Sequence, residues 1–274
     1  MSRSPIDGGV VVVTGASSGI GADIARQLAE RAQVVVVVAR RLHRLEALAE
    51  ALSGSTAQID VRALDLTDDA ACGSLIEHVT AAHGRVDVLV NNAGMGDFGL
   101  LESADANKIR WMIQVNVMAV TRLTQAVLPQ MVARGSGGIL NISSGFGVNF
   151  MPGFAAYVGT KHFVTGLTES LRTEVAGTGI RVVQVCPGPV ATEFEAGVES
   201  PLDRSLPGWV EQSSAACASA AIAALDRNRA LTVPGVVGWL LVHLGWWSPR
   251  MLTRGVLSLL GRLLRRELMQ RRQR

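Results

Sequence analysis

The chain has 274 residues, 48% of them hydrophobic, which is enough for one large α/β domain with a sizeable core. Aromatic residues are only 4%, which argues against a nucleic-acid surface built on base stacking, and Cys72, Cys186 and Cys217 form neither a disulfide framework nor a Cys-x-x-Cys motif. The net charge of +3 hides an asymmetry: residues 250–274 carry eight arginines and one acid, a local net of +7, and leave the rest at −4. The basic balance therefore belongs to the tail and is no sign of nucleic-acid binding by the body.

The five histidines show no metal-ligand spacing. The sparse, odd set of cysteines suits a reducing compartment, so a cytoplasmic protein is expected. The opening Met1–Asp7 leads into a valine run too short for a signal-peptide core.

Short β-branched runs alternate with helical patterns. Strands are expected at Val10–Val13, Val34–Ala39, Ile59–Leu64, Val86–Val90, Gly138–Ile142, Val182–Cys186 and Leu231–Val233. Continuous valine indicates strands buried on both faces, as in a parallel sheet. Helices are expected near 19–31, 42–52, 68–82, 105–134, 156–177 and 208–227. This alternation predicts a Rossmann-like, doubly wound parallel sheet of about seven strands with helices on both faces. No repeat or long polar linker interrupts it before residue 235. We expect a catalytic domain over 1–235 and an apolar and basic extension over 236–274.

The first strand ends in Thr14-Gly15-Ala16-Ser17-Ser18-Gly19-Ile20-Gly21. Glycines let a backbone turn tightly and approach a pyrophosphate, and the next helix aims its N-terminus at the negative charge. The spacing Gly-x-x-x-Gly-x-Gly differs from the common Gly-x-Gly-x-x-Gly. The second strand ends in Arg40-Arg41 where an acid would accept hydrogen bonds from an adenosine ribose. Arginine there accommodates a 2′-phosphate, which favours NADP(H), with NAD(H) as the second option.

Tyr157 and Lys161 stand four residues apart, about one helical turn, so their side chains share a face. A phenol beside an ammonium loses its proton more easily and can serve as general acid or base. Ser143, next to Ser144 on a strand end, points to the opposite face and reads as structural; His162 and Cys186 read as a surface or packing histidine and a buried thiol.

Together these stretches resemble the short-chain dehydrogenase/reductase family, of the roughly 250-residue type, over about residues 8–235. The resemblance implies cofactor contacts from Gly15, Ser17, Ser18, Gly19, Ile20 and Gly21 in the loop, and an adenine contact from Asp65. Asn92, Ala93 and Gly94 belong to Asn91-Asn92-Ala93-Gly94, similar to the family segment beneath the cofactor. Asn116 matches the asparagine of the long helix, and Ser144 lies thirteen residues before Tyr157, the usual family interval. Pro187, Gly188, Val190 and Thr192 lie in the segment whose threonine contacts the nicotinamide carboxamide. Asn116, Ser144, Tyr157 and Lys161 are thus implied as the catalytic set. Tyr157 is the proton donor in this reading, Ser144 its partner on the substrate oxygen, and Lys161 lowers the phenol pKa and holds the nicotinamide ribose. Asn116 positions a water linking Lys161 to solvent. One departure is Gly159-Thr160, where the family often has Ala-Ser.

The tail is unusual. Val236–Trp247 is an apolar run too short to span a bilayer. From Met251 to Leu268, Leu252, Val256, Leu259 and Leu263 share one helix face, and Arg254, Ser258, Arg262 and Arg265 another. Such a pattern suits a helix lying in a membrane interface, and a peripheral contact through 236–268 is one expectation. A cleft cover, a subunit contact and the docking of an acidic partner are the others.

The substrate loop is expected at Phe194–Pro207. The expected function is hydride transfer between NADP(H) and a small apolar or lipid-like carbonyl or secondary alcohol, by a homo-oligomer. A non-catalytic, cofactor-sensing or membrane-recruited scaffold of the same fold is the alternative.

Overall fold

Strands β1 (Val10–Thr14) and β2 (Val34–Ala39) are almost pure valine, and every residue of both is buried. Their side chains alternate between two apolar layers. Val11, Val13, Val35 and Val37 face one, and Val10, Val12, Val34 and Val36 the other. A strand that is apolar on both faces has nowhere stable but the middle of a three-layer sandwich. The computed structural model describes residues 3–191, 211–247 and 250–272.

Five further strands complete the sheet: β3 (Gln58–Ala63), β4 (Val88–Asn91), β5 (Gly137–Ile142), β6 (Ile180–Val185) and β9 (Leu231–Thr232). Every pairing is parallel, in the order β3-β2-β1-β4-β5-β6-β9. The chain winds outward from β1 to β3, then returns to place β4 on the other side of β1. This reversal opens a crevice at the carboxyl ends of β1 and β4, where ligands of such sheets bind. A separate parallel pair joins β7 (Val190–Ala191) to β8 (Gln212–Ser213).

Helices α1 (Gly19–Leu28), α2 (Leu42–Ala51) and α7 (Ser214–Asp226) cover one face, through Ile24, Leu28, Leu45, Ala221 and Leu225. Helices α3 (Asp69–His83), α5 (Val120–Arg134) and α6 (Ala155–Glu174) cover the other, through Ile76, Val79, Leu123, Met131 and Leu171. The alanine-rich stripes of α1 and α7 let these two helices pack closely.

The expected helix over 105–134 is not one regular α-helix. It comprises α4 (Ala106–Ile113), a π-helical turn over Gln114–Ala119, and α5. A π turn adds a residue to the local repeat and is frequent at functional sites; here it carries Asn116. Of the expected helix over 208–227, residues 208–210 lie outside the described part, Gln212–Ser213 form strand β8 instead, and the helix α7 begins at Ser214. A buried polar chain pins α5 and α6 to the sheet. Asn91 donates to Thr124 and Asn141, and Asn141 donates to Thr168.

The tail forms α8 (Val236–Trp247) and α9 (Arg250–Arg272). No described helix is long and apolar enough to cross a membrane. α8 lies against the loop after β6, where a side chain on Gly188 would meet Cα of Gly238 at 3.1 Å.

Candidate active site

The turn after β1 is built around absent side chains. Gly15 has φ +68° and Gly19 φ +54°, which favour glycine. A Cβ on Gly15 would meet Cα of Ala93 at 2.8 Å, and one on Gly21 would collide with the Asn92 amide and the Gly15 carbonyl. The loop is therefore pressed against Asn92-Ala93 at the end of β4. Thr14 ties the two together: its hydroxyl donates to the Val90 carbonyl and accepts from the amides of Asn92 and Ala93, at 3.0–3.1 Å. The Asn92 side chain donates to the carbonyls of Thr14 and Gly15, so it braces the loop from below. Ser18 is the N-cap of α1, Ile20 packs into the core, and the first amides of α1 open toward the crevice.

Arg41 crosses from the end of β2 to this loop. Its guanidinium donates to the Ser17 hydroxyl at 3.0 Å and the Ser18 hydroxyl at 2.9 Å. Arg40 beside it is exposed. A fixed cation and two hydroxyls at the rim of a glycine turn fit a phosphate on an adenosine ribose. Asp65, after β3, is exposed and turned inward on its own loop, accepting from the Thr67 amide and hydroxyl at 2.9 Å each. The turn, the helix N-terminus and the arginine together fit a phosphorylated dinucleotide.

At the other end of the crevice, the π turn presents Asn116, which is buried. Its Oδ1 accepts from the Met95 amide at 2.8 Å, and its Nδ2 donates to the Met95 carbonyl at 2.8 Å and to the Thr160 hydroxyl at 3.0 Å. Thr160 in turn donates to the Tyr157 carbonyl at 2.8 Å. Asn116 thus ties the segment after β4 to the helix that carries Tyr157 and Lys161. A side chain on Gly94 would sit 3.5 Å from both Asn116 Oδ1 and Lys161 Nζ, so the glycine leaves the space between strand end and lysine open.

Tyr157 and Lys161 lie on α6 and are both buried. Lys161 Nζ is 5.8 Å from the centroid of the Tyr157 ring and donates to the Ile142 carbonyl at 3.0 Å. Ser144, just beyond β5, caps a short turn by accepting from the Phe146 amide, and its hydroxyl stands beside the Tyr157 phenol. Burial pushes the phenol up to about 12, and the Ser144 hydroxyl opposes this. Burial pushes the Lys161 ammonium down to about 8. Burial is thus the largest influence on the phenol, and Ser144 is a group that favours the phenolate.

Ser143 points away as expected, to the Lys161 carbonyl and the Thr165 hydroxyl of α6. His162 is exposed and Cys186 is buried. Pro187 accepts from the Gly145 amide at 2.7 Å, and Gly188 touches α8. Val190 is buried in β7. Thr192 and the loop Phe194–Pro207 lie outside the described residues.

Sequence reasoning passed over three residues of this region. Phe146 and Phe154 flank Tyr157, each with its ring centroid 6.3 Å away, and Phe98 stacks edge-on against Phe154 at 4.9 Å. Half of the chain's six phenylalanines gather here. Their signal was in the sequence, since Phe146 and Phe154 lie between Ser144 and Tyr157, but only the fold brings Phe98 to them.

Comparison with known proteins identifies the family. The model of the family described as short chain dehydrogenase matches residues 9–203. The NADP-dependent 3-hydroxy acid dehydrogenase of Salmonella typhi is 40% identical over 192 residues, covering 68% of this chain and 75% of that protein. Glycine betaine reductase of Emericella nidulans is 38% identical over 192 residues, 70% of this chain but only 15% of that much longer protein. Among solved structures, a short-chain dehydrogenase from Sphingobium yanoikuyae in complex with NADPH superimposes with a TM-score of 0.76 at 34% identity, covering 91% of this chain and 95% of that one. The chain belongs to the short-chain dehydrogenase/reductase family of NAD(P)-dependent oxidoreductases.

Proposed function

We propose that the protein is an NADP(H)-dependent oxidoreductase acting on the carbonyl or secondary alcohol of an apolar, lipid-like substrate, with Tyr157 as its general acid and base. The observation that carries this reading is the buried pair on α6, with Lys161 Nζ 5.8 Å from the centroid of the Tyr157 ring, at the crevice onto which the glycine turn opens. The nicotinamide, when bound, supplies or accepts the hydride.

The remaining chemistry falls to the chain. In reduction, negative charge develops on the substrate oxygen. Tyr157 delivers its proton to that oxygen, and Ser144 donates a hydrogen bond to it, where the charge appears. Lys161 holds a positive charge in the same buried space and is the group placed for the nicotinamide ribose. Asn116 and Thr160 fix the helix that carries both. Gly15, Ser17, Ser18, Gly19, Ile20 and Gly21 cradle the pyrophosphate side, with Asn92, Ala93 and Gly94 beneath. Arg41, with Arg40 on the outer rim, serves the adenosine end and favours the 2′-phosphate, and Asp65 is the residue for the adenine.

An apolar substrate follows from Phe98, Phe146 and Phe154 around the phenol. Residues 1–235 would carry the reaction and 236–274 would roof the cleft. The test is a panel of carbonyls and alcohols graded in chain length, followed by NADPH and NADH absorbance. The reading predicts turnover that rises with apolar length and prefers NADPH. Activity confined to small polar substrates, or equal use of NADH, would contradict it.

A further inference from the structure

Helix α9 is apolar on two sides and basic on a third. Its less exposed stripe is Thr253, Leu257, Gly261, Leu264 and Leu268, which share one helix face. Gly261 lies over Pro152, where an added side chain would stand 3.6 Å from the proline ring, and Leu264 is buried. Arg265 fixes this docking through a two-pronged ion pair with Glu102, each contact 2.9 Å. The helix therefore has its intramolecular partner already.

A second apolar stripe faces outward. Leu252, Val256, Leu259 and Leu263 are 54–69% exposed. On α8, Leu244 is 63% and Trp247 85% exposed. Beside the outward stripe of α9 stand exposed Arg254, Arg262 and Arg266. A soluble surface seldom leaves so many large apolar side chains in water along one helix face.

We propose that the outward face of α8 and α9 docks on the surface of an anionic bilayer. The leucines and Trp247 enter the acyl boundary while the arginines lie in the headgroup layer. Charge complementarity selects this occupant. The segment 250–274 carries a net +7 against −4 for the rest of the chain, so a negative surface attracts the tail and repels the body. A second copy packed tail to tail would bring the two arginine sets together. Spanning is excluded for α9 by the arginines along its length. The position of α8 gives the docking a use, and this part rests on the oxidoreductase reading above. Val242 of α8 stands 3.3 Å from the space beside Gly145, and its carbonyl accepts from Asn149. The docked face and the turn next to Ser144 are thus one helix apart, so an apolar substrate reaches Tyr157 from the lipid.

The test is flotation of the full-length protein with phosphatidylcholine vesicles, with and without phosphatidylglycerol, at low and high salt. Two variants accompany it: L252D/V256D/L259D on the apolar stripe and R254E/R262E on the basic one. Their folding is checked by circular dichroism and NADPH binding. The proposal expects capture only by vesicles containing phosphatidylglycerol, release by salt, and at least about a tenfold loss of bound fraction in each variant. No capture at low salt, or capture that the variants leave unchanged, would overturn it. Light scattering that shows an oligomer dissolved by L252D/V256D/L259D, with vesicles ignored, would assign the face to a second copy instead. Because flotation reads no turnover, its failure would leave the oxidoreductase reading standing, and failure of the substrate panel would leave lipid docking standing.

Discussion

Asn116 and Thr160 are joined side chain to side chain at 3.0 Å, both buried. The bond links the π turn to α6, three residues past the carbonyl of Tyr157 that Thr160 also binds. A threonine hydroxyl is all the link requires, which explains how the chain departs from the family's usual Ala-Ser at this point without losing the arrangement. Thr160→Val keeps the shape and deletes the hydroxyl, leaving the Asn116 amide short of an acceptor. We expect about 1–3 kcal/mol of lost stability in urea unfolding, with Thr160→Ser close to the parent.

Gly159 has open space where a side chain would go, with nothing within 4 Å, and its φ is not positive. A glycine inside α6 costs backbone entropy with no packing return. Gly159→Ala is therefore expected to stabilise the protein by about 0.5–1 kcal/mol, read from the denaturation midpoint, with turnover unchanged. Gly15→Ala is the contrast: it forces a side chain onto Ala93 at positive φ and should abolish cofactor binding by calorimetry.

Arg41 already rests on Ser17 and Ser18, so its charge is fixed at the rim of the glycine turn. Charged hydrogen bonds to a 2′-phosphate contribute about 1.5–3 kcal/mol. Arg41→Ala should raise the Kd for NADPH about ten- to a hundredfold and change that for NADH far less. Arg40→Asp should move the preference toward NADH. A parent protein that binds both cofactors equally would refute the strand-end argument.

The two buried titrating groups set the pH profile. Lys161 is charged below its value of about 8 and neutral above it, while Tyr157, pushed to about 12, keeps its proton throughout the working range. The donor is therefore always ready in reduction, and the cation is lost as pH rises. We expect kcat/KM for reduction, with NADPH saturating, to be level below about pH 8 and to fall above it. A profile that rose between neutrality and pH 9 would contradict the assignment of the ammonium.

Much of this was legible in the residues. The valine runs named both the strands and the parallel sheet, because only a doubly covered strand tolerates apolar side chains on both faces. The glycine turn, Arg41 and the Tyr157–Lys161 pair were legible because each is a local spacing. The break in the long helix was not, since the π turn is held by Asn116 reaching Met95 and Thr160, partners distant in the sequence. The burial of Tyr157 was not legible for a related reason. Spacing places the lysine nearby, but the depth of burial, which dominates, is a property of the packed fold. The second apolar side of α9 was legible as a stripe, whereas the stripe that meets the body was hidden until Glu102 and Pro152 were seen beneath it.

The central claim is that Tyr157 moves the proton. Tyr157→Phe keeps the ring between Phe146 and Phe154 and removes only the hydroxyl. Single-turnover reduction of the best carbonyl from the panel, with NADPH prebound, should fall about 10²–10⁴-fold while the Kd for NADPH stays within a few-fold of the parent. Turnover by Tyr157→Phe close to that of the parent would contradict the account.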